Sequence, residues 1–329
     1  MADLRRKRIA EFIEPFRVEP GRKVRLPHDF DPAGTRDRSK AEAKAILAQA
    51  TELLAEYQMR LAAQDDYGVV MVLQAMDAAG KDGTIRHVMS GVNPQGVQVS
   101  SFKIPSSEDL SHDYLWRYQK KLPQRGNIGI FNRSYYEEVL VVRVHPQILA
   151  GQKLPPKLKN RGIWNRRFRE INDWEHYLTD QGYRFVKLFL NLSKEEQRRR
   201  FLSRIDEPEK NWKFSANDAK ERAFWDDYQK AFAELLSKTS TDWAPWHVIP
   251  ADDKLFARVA AAGVLAHTLI EIDPRFPTVS KEARDALGVQ KVALEAEAPE
   301  GAASDPYAVE VEAKAAKKAA RAGKKGKKS

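Results

Sequence analysis

The feature that most constrains the fold is a buried strand that leads into a glycine-lysine turn. Residues 69–73, Val-Val-Met-Val-Leu, form an apolar, mostly β-branched run, which predicts a short buried strand. The turn Asp77-Ala-Ala-Gly-Lys-Asp-Gly follows, and a helix is predicted over residues 85–90. This order is that of a phosphate-binding loop, because a helix start offers unpaired N–H groups and small residues let the backbone approach a phosphate.

The turn departs from the pattern G-x-x-x-x-G-K-[ST] at two positions. Ala75 stands where the first glycine would be, and Asp82 stands where the magnesium-binding Ser or Thr would be. An ordinary strand-to-helix turn is the alternative, but the clear strand before the turn favours a phosphate loop. The acid after the lysine indicates that the protein is not an ordinary ATPase. The predicted loop comprises Ala78, Ala79, Gly80, Lys81, Asp82, Gly83 and Thr84.

Composition excludes several classes of protein. The 329 residues are enough for a sizeable core, and the absence of cysteine excludes disulfides and cysteine–zinc sites. No apolar run approaches the roughly 18–20 residues that span a bilayer, and the N-terminus lacks the apolar segment of a secretory signal. We therefore expect a cytoplasmic protein with no membrane partner.

The net charge of +10 is concentrated in a basic tail. Residues 314–329 carry eight Lys or Arg and no acid, which leaves +2 for the rest of the chain. The Ala/Lys/Gly composition predicts disorder. A solubilising tail and a tail that contacts nucleic acid or another polyanion are both compatible with this sequence, and we expect no specific nucleic-acid partner.

The chain divides into three predicted parts. Residues 1–36 are predicted to form an N-terminal arm, residues 37–290 an α/β domain, and residues 291–329 a disordered tail that is first Ala/Glu-rich and then Ala/Lys-rich. A capping box at Ser39 and Glu42 starts a helix before the first strand. A second one, at Ser193 and Glu196, starts a charged helical excursion over about 193–239, where nucleotide kinases carry a lid.

Five strands separated by helices predict parallel β-α-β units and a three-layer α/β/α sandwich. Ligands of such sheets bind beyond the carboxyl ends of the strands, where the phosphate loop would lie. The strands are predicted at 69–73, 97–102, 126–131, 183–190 and 246–249, and helices at 107–121, 163–179 and 253–272, among others.

Polar residues at the end of the third strand form a second candidate constellation. Asn132 could reach a metal ion beside the phosphate loop, and Arg133 would point to the same place. A helix cap with an exposed arginine is the alternative explanation. Glu137 and Glu138 open the next helix, where acids are favourable at any helix start.

Basic residues elsewhere could contact phosphate. Arg200 and Arg204 share a helix face at spacing i, i+4 and could close over a transferring group, although a solvated face would show the same spacing. Arg117, Lys120 and Lys121 could line a groove for an extended polyanion, or could simply be solvated.

Taken together these motifs resemble the second family of polyphosphate kinases. The resemblance covers roughly residues 40–272 and rests on Asp77-Ala-Ala-Gly-Lys-Asp-Gly, Phe131-Asn-Arg-Ser-Tyr-Tyr, Arg200-Phe-Leu-Ser-Arg204, Pro208 and Trp212-Lys213-Phe-Ser215. It implies a thymidylate-kinase-like P-loop fold with a helical lid. It also implies reversible, magnesium-dependent phosphoryl transfer from inorganic polyphosphate to a nucleotide, with manganese as a possible substitute.

The resemblance also implies roles for individual residues. Asn-Arg-Ser followed by acids resembles the subgroup that phosphorylates both AMP and ADP, which makes AMP, ADP and ATP the expected nucleotides and a homo-dimer or homo-tetramer the expected assembly. The implied catalytic residues are Asp77, Lys81, Arg133, Arg200 and Arg204, the metal ligands Asp77, Asn132 and Glu137, and the polyphosphate- or nucleotide-binding residues Arg117, Lys120, Lys121, Arg133, Arg200, Arg204 and Lys213.

Two other functions remain open from the sequence. One is an ATP-dependent nucleotide or nucleoside kinase on the same fold, against which Asp82 argues. The other is a non-catalytic nucleic-acid-binding module that uses the basic tail, against which the phosphate loop and the third-strand residues argue.

The tail generates a first prediction. Deletion of residues 314–329 is expected to leave turnover unchanged and to shift the thermal midpoint by no more than about 2 °C, because a segment of this composition buries no core. Calorimetry and an activity assay on the full and shortened chains test this. A collapse of either property would show that the segment is not a free tail.

Overall fold

The core of the molecule is a five-stranded, all-parallel sheet. In the computed structural model, which describes residues 2–34 and 39–297, the strands lie in the order β2-β3-β1-β4-β5. This confirms the predicted fold class. The strands are β1 (Gly68–Ala75), β2 (Val97–Ser101), β3 (Ile128–Asn132), β4 (Tyr183–Asn191) and β5 (Trp246–Pro250).

Helices cover both faces of this sheet. The α-helices within the described residues are α1 (Ala2–Ile13), α2 (Lys40–Gln64), α3 (Lys81–Val88), α4 (Trp116–Gln119), α5 (Val141–Val144), α6 (Pro146–Gly151), α7 (Ile163–Asp180), α8 (Lys194–Asp206), α9 (Ala216–Glu221), α10 (Trp225–Thr239), α11 (Lys254–Ile272) and α12 (Lys281–Ala296).

Two hydrophobic clusters fill the space between sheet and helices. Val69, Met71 and Leu73 of β1 point into a cluster with α2, α3 and α11, whereas Val70 and Val72 point into a cluster with α7 and α10. Successive side chains of a strand face opposite sides, so a strand buried on both sides is apolar throughout. This explains why β1 is a continuous apolar run.

The predicted N-terminal arm is part of this core. Phe12 and Phe16 make edge-to-face contacts with Phe256 of α11, and Phe30 is buried in the cluster on the other face. A single antiparallel bridge between Arg17 and His247 lies beside the edge strand β5. The arm therefore packs on both faces of the sheet.

The helix predicted over 107–121 does not form. The segment instead contains a 3₁₀ turn at Asp109–Ser111 and the single helical turn of α4. The Asp109 carboxylate accepts a hydrogen bond from the Ser106 N–H at 2.9 Å, and Arg117 donates to the carbonyl of Lys103 at 3.0 Å. These local bonds hold an irregular chain, which explains why apolar spacing alone predicted the wrong structure.

The predicted lid is smaller than its sequence limits suggest. Within 193–239, α10 is a core helix that buries residues such as Trp225, Phe232 and Leu236 against the sheet. The part outside the sheet layers is α8, a 3₁₀ segment at Pro208–Lys213, and α9. The capping box at Ser39 and Glu42 forms as predicted.

One helix among the described residues is long and apolar enough to cross a membrane, although the sequence analysis found no such run. This helix is α11, and 61% of its most apolar window is buried inside the protein. It packs against α1, α2 and α3 in the first hydrophobic cluster. We interpret α11 as the central core helix of this face.

The chain divides into two units between Phe276 and Pro277. The first contains the sheet. Of the second, residues 277–297 are described and include α12, whose residues are exposed. The predicted boundary at residue 290 falls inside α12, and the predicted basic tail lies outside the described residues.

A buried charge network ties β4 to the α7 and α10 side of the sheet. Lys187 of β4 is fully buried and donates hydrogen bonds to Glu175 at 2.7 Å, to the Tyr136 hydroxyl at 3.0 Å and to the carbonyl of Thr239 at 2.6 Å. Tyr135 and Tyr136 donate to the other oxygen of Glu175, at 2.6 and 2.7 Å. Every charge is therefore paired, which is the condition for burying ions at an acceptable free-energy cost.

This network generates the second prediction. Lys187→Met is expected to lower the free energy of unfolding by about 3–5 kcal/mol, because it leaves the Glu175 carboxylate buried without its cation. The double variant Lys187→Met/Glu175→Gln should recover part of this loss.

Urea unfolding of both variants tests the prediction. The matched control is Lys230→Met, which removes a lysine from an exposed ion pair with Asp227 on α10. Equal stability of Lys187→Met and the control would contradict the role of the network.

Candidate active site

A basic cavity lies at the carboxyl ends of the central strands. Leu73 of β1 is in register with Asn132 of β3, so the phosphate loop after β1 and the residues after β3 meet at one edge of the sheet. The cavity has a volume of about 1040 Å³ and is lined by eleven Lys or Arg and four Asp or Glu side chains. This excess of positive charge suits a strongly anionic ligand.

The loop between β1 and α3 has the backbone of an anion site. Gly80 has φ 103° and Ala78 has φ 64°, both in the left-handed region, which is unfavourable for alanine. Gly80 is the N-cap of α3. The N–H groups of Gly80, Lys81, Asp82 and Gly83 find no acceptor in the part of the chain that the structure describes, as expected at a helix start. The loop thus presents free donors and the positive end of a helix.

Lys81 lies in this loop with its ammonium folded back toward the strand. Its Nζ donates to the carbonyl of Ala75 at 3.1 Å. Burial lowers the pKa of Lys81, and the nearby Asp77 carboxylate acts in the opposite direction. An anion bound in the loop would favour the charged ammonium and restore its pKa.

Arg133 stands between two carboxylates. Its guanidinium lies 3.0 Å from Asp77 and 3.8 Å from Glu137, and its φ of 64° is another left-handed value beside the loop. Burial acts to lower the pKa of Arg133, but Glu137 and Asp77 outweigh it and the pKa is raised. Burial raises the pKa of Glu137, and Arg133 and Lys81 oppose this shift. The Arg133 guanidinium therefore joins Asp77 and Glu137.

Asn132 has a different partner. Its side-chain amide donates to Asp82 at 2.6 Å, across the mouth of the loop. Asp77, Asp82 and Asn132 line the cavity, whereas Glu137 does not. Within residues 2–34 and 39–297 there is no group of three His, Cys, Asp or Glu positioned for a metal. Of the three predicted metal ligands, Asp77 and Asn132 line the cavity, while Glu137 reaches it only through its ion pair with Arg133.

The two lid arginines have different environments. Arg200 is only 6% exposed, and its N–H groups are bonded to main-chain carbonyls and to Glu196. Arg204 lies 3.2 Å from Asp218 of α9 and extends over the Phe201 ring. Arg204 is partly exposed on the cavity wall, and Lys213 lines the same wall. Arg200 also lines the cavity, but its guanidinium is bonded to groups of the protein itself.

The predicted groove residues Arg117, Lys120 and Lys121 do not line the cavity. Arg117 supports the irregular segment after β2 through the carbonyl of Lys103 and lies over the rings of Phe102 and Tyr118. Lys120 lies over the Trp116 ring at 3.9 Å. Lys121 is exposed. All three residues belong to segment 107–121, whose predicted continuous helix does not form.

Several cavity cations were missed from the sequence. They share no motif and come from separate elements: Arg86, Lys103, Arg199, Lys210, Lys254 and Arg258. Lys254 and Arg258 are one turn apart on α11, and burial lowers the pKa of both, with neighbouring cations adding to the shift. The start of a helix after the fifth strand, at the ligand edge, was the signal that could have indicated the α11 pair.

Comparisons with known proteins show the family of the chain. Residues 37–276 match the family model described as polyphosphate kinase 2. The chain is 50% identical over 276 residues to a protein of Rhodopseudomonas palustris named ADP-polyphosphate phosphotransferase, and the alignment covers 83% of this chain and 94% of that protein. It is 42% identical over 267 residues to a protein of Meiothermus ruber named AMP/ADP-polyphosphate phosphotransferase, and the alignment covers 80% of this chain and 96% of that protein.

A solved structure shares the fold. The crystal structure of polyphosphate kinase 2 from Arthrobacter aurescens TC1 superposes with a TM-score of 0.76 at 40% sequence identity, over 86% of this chain and 96% of that one. Residues 37–276, which the family model matches, include β1 to β5 and all the residues that line the cavity. On the family model and these relatives, the chain belongs to the polyphosphate kinase 2 family.

Proposed function

We propose that the protein transfers the terminal phosphate of inorganic polyphosphate to a nucleotide. The observation that carries this proposal is the composition of the cavity, in which eleven cations face four carboxylates around a loop with free N–H groups. Such a surface offers more positive charge than one nucleotide phosphate group requires. A longer polyanion bound beside the nucleotide would neutralise the remaining positive charge.

The transfer needs positioning and charge stabilisation more than covalent chemistry by the protein. An oxygen of the nucleotide's terminal phosphate attacks the terminal phosphorus of the polyphosphate. That P–O bond forms while the bond to the penultimate phosphate breaks, and the electron pair leaves on the shortened polyphosphate. Lys81, Arg133 and Arg204 line the cavity, and we assign to them the stabilisation of charge on the transferring group.

We propose Mg²⁺, with Mn²⁺ as a possible substitute, as the metal ion of this reaction. Mg²⁺ in phosphoryl-transfer sites commonly takes one or two carboxylates, waters and substrate phosphates. Asp77 and Asp82 line the cavity on either side of Lys81, with Asn132 bonded to Asp82, so these oxygen donors fit the ion. When bound, the ion would neutralise charge on the phosphate chain.

The two rival functions find less support. An ATP-dependent kinase on this fold uses a Ser or Thr after the loop lysine, where this chain has Asp82 bonded to Asn132. A nucleic-acid-binding module would need an open basic surface, whereas these cations surround a phosphate loop in a cavity. Assembly into a dimer or tetramer stays a prediction of the family resemblance.

Both AMP and ADP are proposed as acceptors. The two relatives compared above carry names that differ on this point, one with ADP alone and one with AMP and ADP. Asn132 is neutral, so the pair formed by Asn132 and Asp82 carries one negative charge. An aspartate at position 132 would give the same pair two negative charges. An acceptor with one phosphate or two could approach this less negative wall at two depths.

The third prediction concerns the loop lysine. Lys81→Ala is expected to lower the rate of transfer by about 10²–10³-fold, because a cation beside the transferring phosphate is lost. Circular dichroism should show an unchanged fold. Lys230→Ala, which removes an exposed lysine on the solvent face of α10, is the control. Retention of more than about a tenth of the wild-type rate would refute the role of Lys81.

The fourth prediction concerns the acceptor. Starting from AMP, Mg²⁺ and excess polyphosphate, with no adenylate kinase present, chromatography is expected to show ADP rising first and ATP following. ADP without polyphosphate should give no ATP, which excludes disproportionation. Asn132→Asp, which sets a second carboxylate against Asp82, should change the ratio of AMP to ADP turnover more than it changes the thermal midpoint.

Two outcomes would contradict the dual-acceptor proposal. If the reaction halts at ADP, or if AMP is never consumed while ADP is, the protein performs a single step. ATP in place of polyphosphate as phosphate donor tests the conventional kinase in the same assay.

A further inference from the structure

The first helix of the lid is bonded to the phosphate loop. Three consecutive loop carbonyls accept hydrogen bonds from side chains of α8. The carbonyl of Asp77 accepts from Gln197 at 3.0 Å, and those of Ala78 and Ala79 accept from Arg200 at 3.1 and 2.9 Å. Gln197 and Arg200 lie on one face of the helix, three residues apart.

Arg200 has no donor to spare for a ligand. Its other terminal nitrogen donates to the carbonyls of Ala251 and Asp252 at 2.6 and 2.9 Å, and its Nε donates to Glu196 at 2.8 Å. A guanidinium has five N–H donors, and five hydrogen bonds are present. Arg200 therefore joins the phosphate loop to the turn between β5 and α11.

The orientation of these carbonyls fixes the orientation of the loop N–H groups. In a trans peptide the C=O of one residue and the N–H of the next point in opposite directions. The Ala79 carbonyl is turned toward α8, so the Gly80 N–H is turned away from it. The same holds for the Asp77 carbonyl and the Ala78 N–H. Both N–H groups lack an acceptor within the described residues.

The phosphate loop contains a strained residue that needs contacts of this kind. Ala78 has a left-handed φ of 64°, which an alanine does not adopt readily. Such a conformation persists only where surrounding contacts determine it. The bonds from α8 are the contacts present on both sides of Ala78.

We propose that Arg200 and Gln197 are positioning residues that hold the carbonyls of the phosphate loop, so that its N–H groups are available to the polyphosphate, and that neither side chain contacts the transferred phosphate. Of the two predicted lid arginines, Arg204, one turn later on the same helix and partly exposed on the cavity wall, is the one left to make that contact. The inference deepens the proposed function and rests on it for its kinetic part.

The experiment compares four variants. Arg200→Met and Gln197→Leu remove the positioning bonds, Arg204→Met removes a cavity cation, and Arg198→Met is the control. Arg198 is on the same helix, pairs with Glu195 and does not line the cavity. For each variant we would measure kcat per folded molecule and the dependence of polyphosphate affinity on salt.

The two roles give different results. Arg200→Met and Gln197→Leu are expected to lower kcat about 100-fold, the effect of a reacting group displaced by about 1 Å. The slope of log affinity against log salt should stay unchanged. Arg204→Met should reduce that slope by about 0.7, as for one lost contact to a single-stranded polyanion. The control should change neither quantity, and the Arg200→Met/Gln197→Leu double variant should be no slower than the worse single variant.

If Arg200→Met reduces the salt slope as much as Arg204→Met does, Arg200 contacts the polyphosphate directly and the inference is overturned. The inference is also overturned if both positioning variants keep the wild-type kcat. If the wild-type chain neither transfers phosphate nor binds polyphosphate, the proposed function fails. The positioning role is then decided by ligand-free crystal structures of Arg200→Met and Gln197→Leu. Rotation of the Asp77, Ala78 or Ala79 carbonyls supports it, and an unchanged loop overturns it.

Discussion

The pairing of β1 with its two parallel neighbours determines the rest of the structure. β1 is hydrogen-bonded to β3 on one side and β4 on the other, and all three strands run in the same direction. Their carboxyl ends therefore meet at one edge, where the phosphate loop follows β1, Asn132 ends β3 and α8 follows β4. A shift of one residue in this register would separate Asn132 from Asp82 and turn each buried side chain of β1 to the opposite face.

The two faces of the sheet are stabilised in different ways. The face with α2, α3 and α11 is packed mainly by aliphatic side chains, with small alanines along α11 that allow close approach of the helices. The face with α7 and α10 contains most of the buried aromatic side chains, together with the Glu175 and Lys187 pair. Tyr135 and Tyr136 link this buried pair to the residues that follow β3. The sequence that supplies Asn132 and Arg133 to the cavity thus continues directly into the core, which anchors the site on a rigid element.

The sequence predicted the elements whose signals are local. All five strands were predicted, four of them from buried apolar runs, and Ser39 with Glu42 marked the start of α2, since a strand's burial and a helix cap are both decided within a few residues. The segment 107–121 failed because Asp109 and Arg117 form bonds that periodicity does not register. Arg200 is the most instructive case. Its motif was recognisable, but whether its guanidinium faces a ligand or main-chain carbonyls depends on Ala251 and Asp252, about fifty residues away. Likewise, Lys254 and Arg258 join the cavity only through the tertiary fold.

The crowding of cations in the cavity has a consequence for the ligand-free protein. Folding brings eleven positive side chains together with only four carboxylates, so the empty site carries uncompensated repulsion. Any multivalent anion that binds the folded chain and not the unfolded chain relieves this repulsion and shifts the unfolding equilibrium. The thermal stability of this protein is therefore a property of the buffer as well as of the chain. Melting temperatures are therefore expected to be higher in phosphate or sulfate than in a zwitterionic buffer of the same pH.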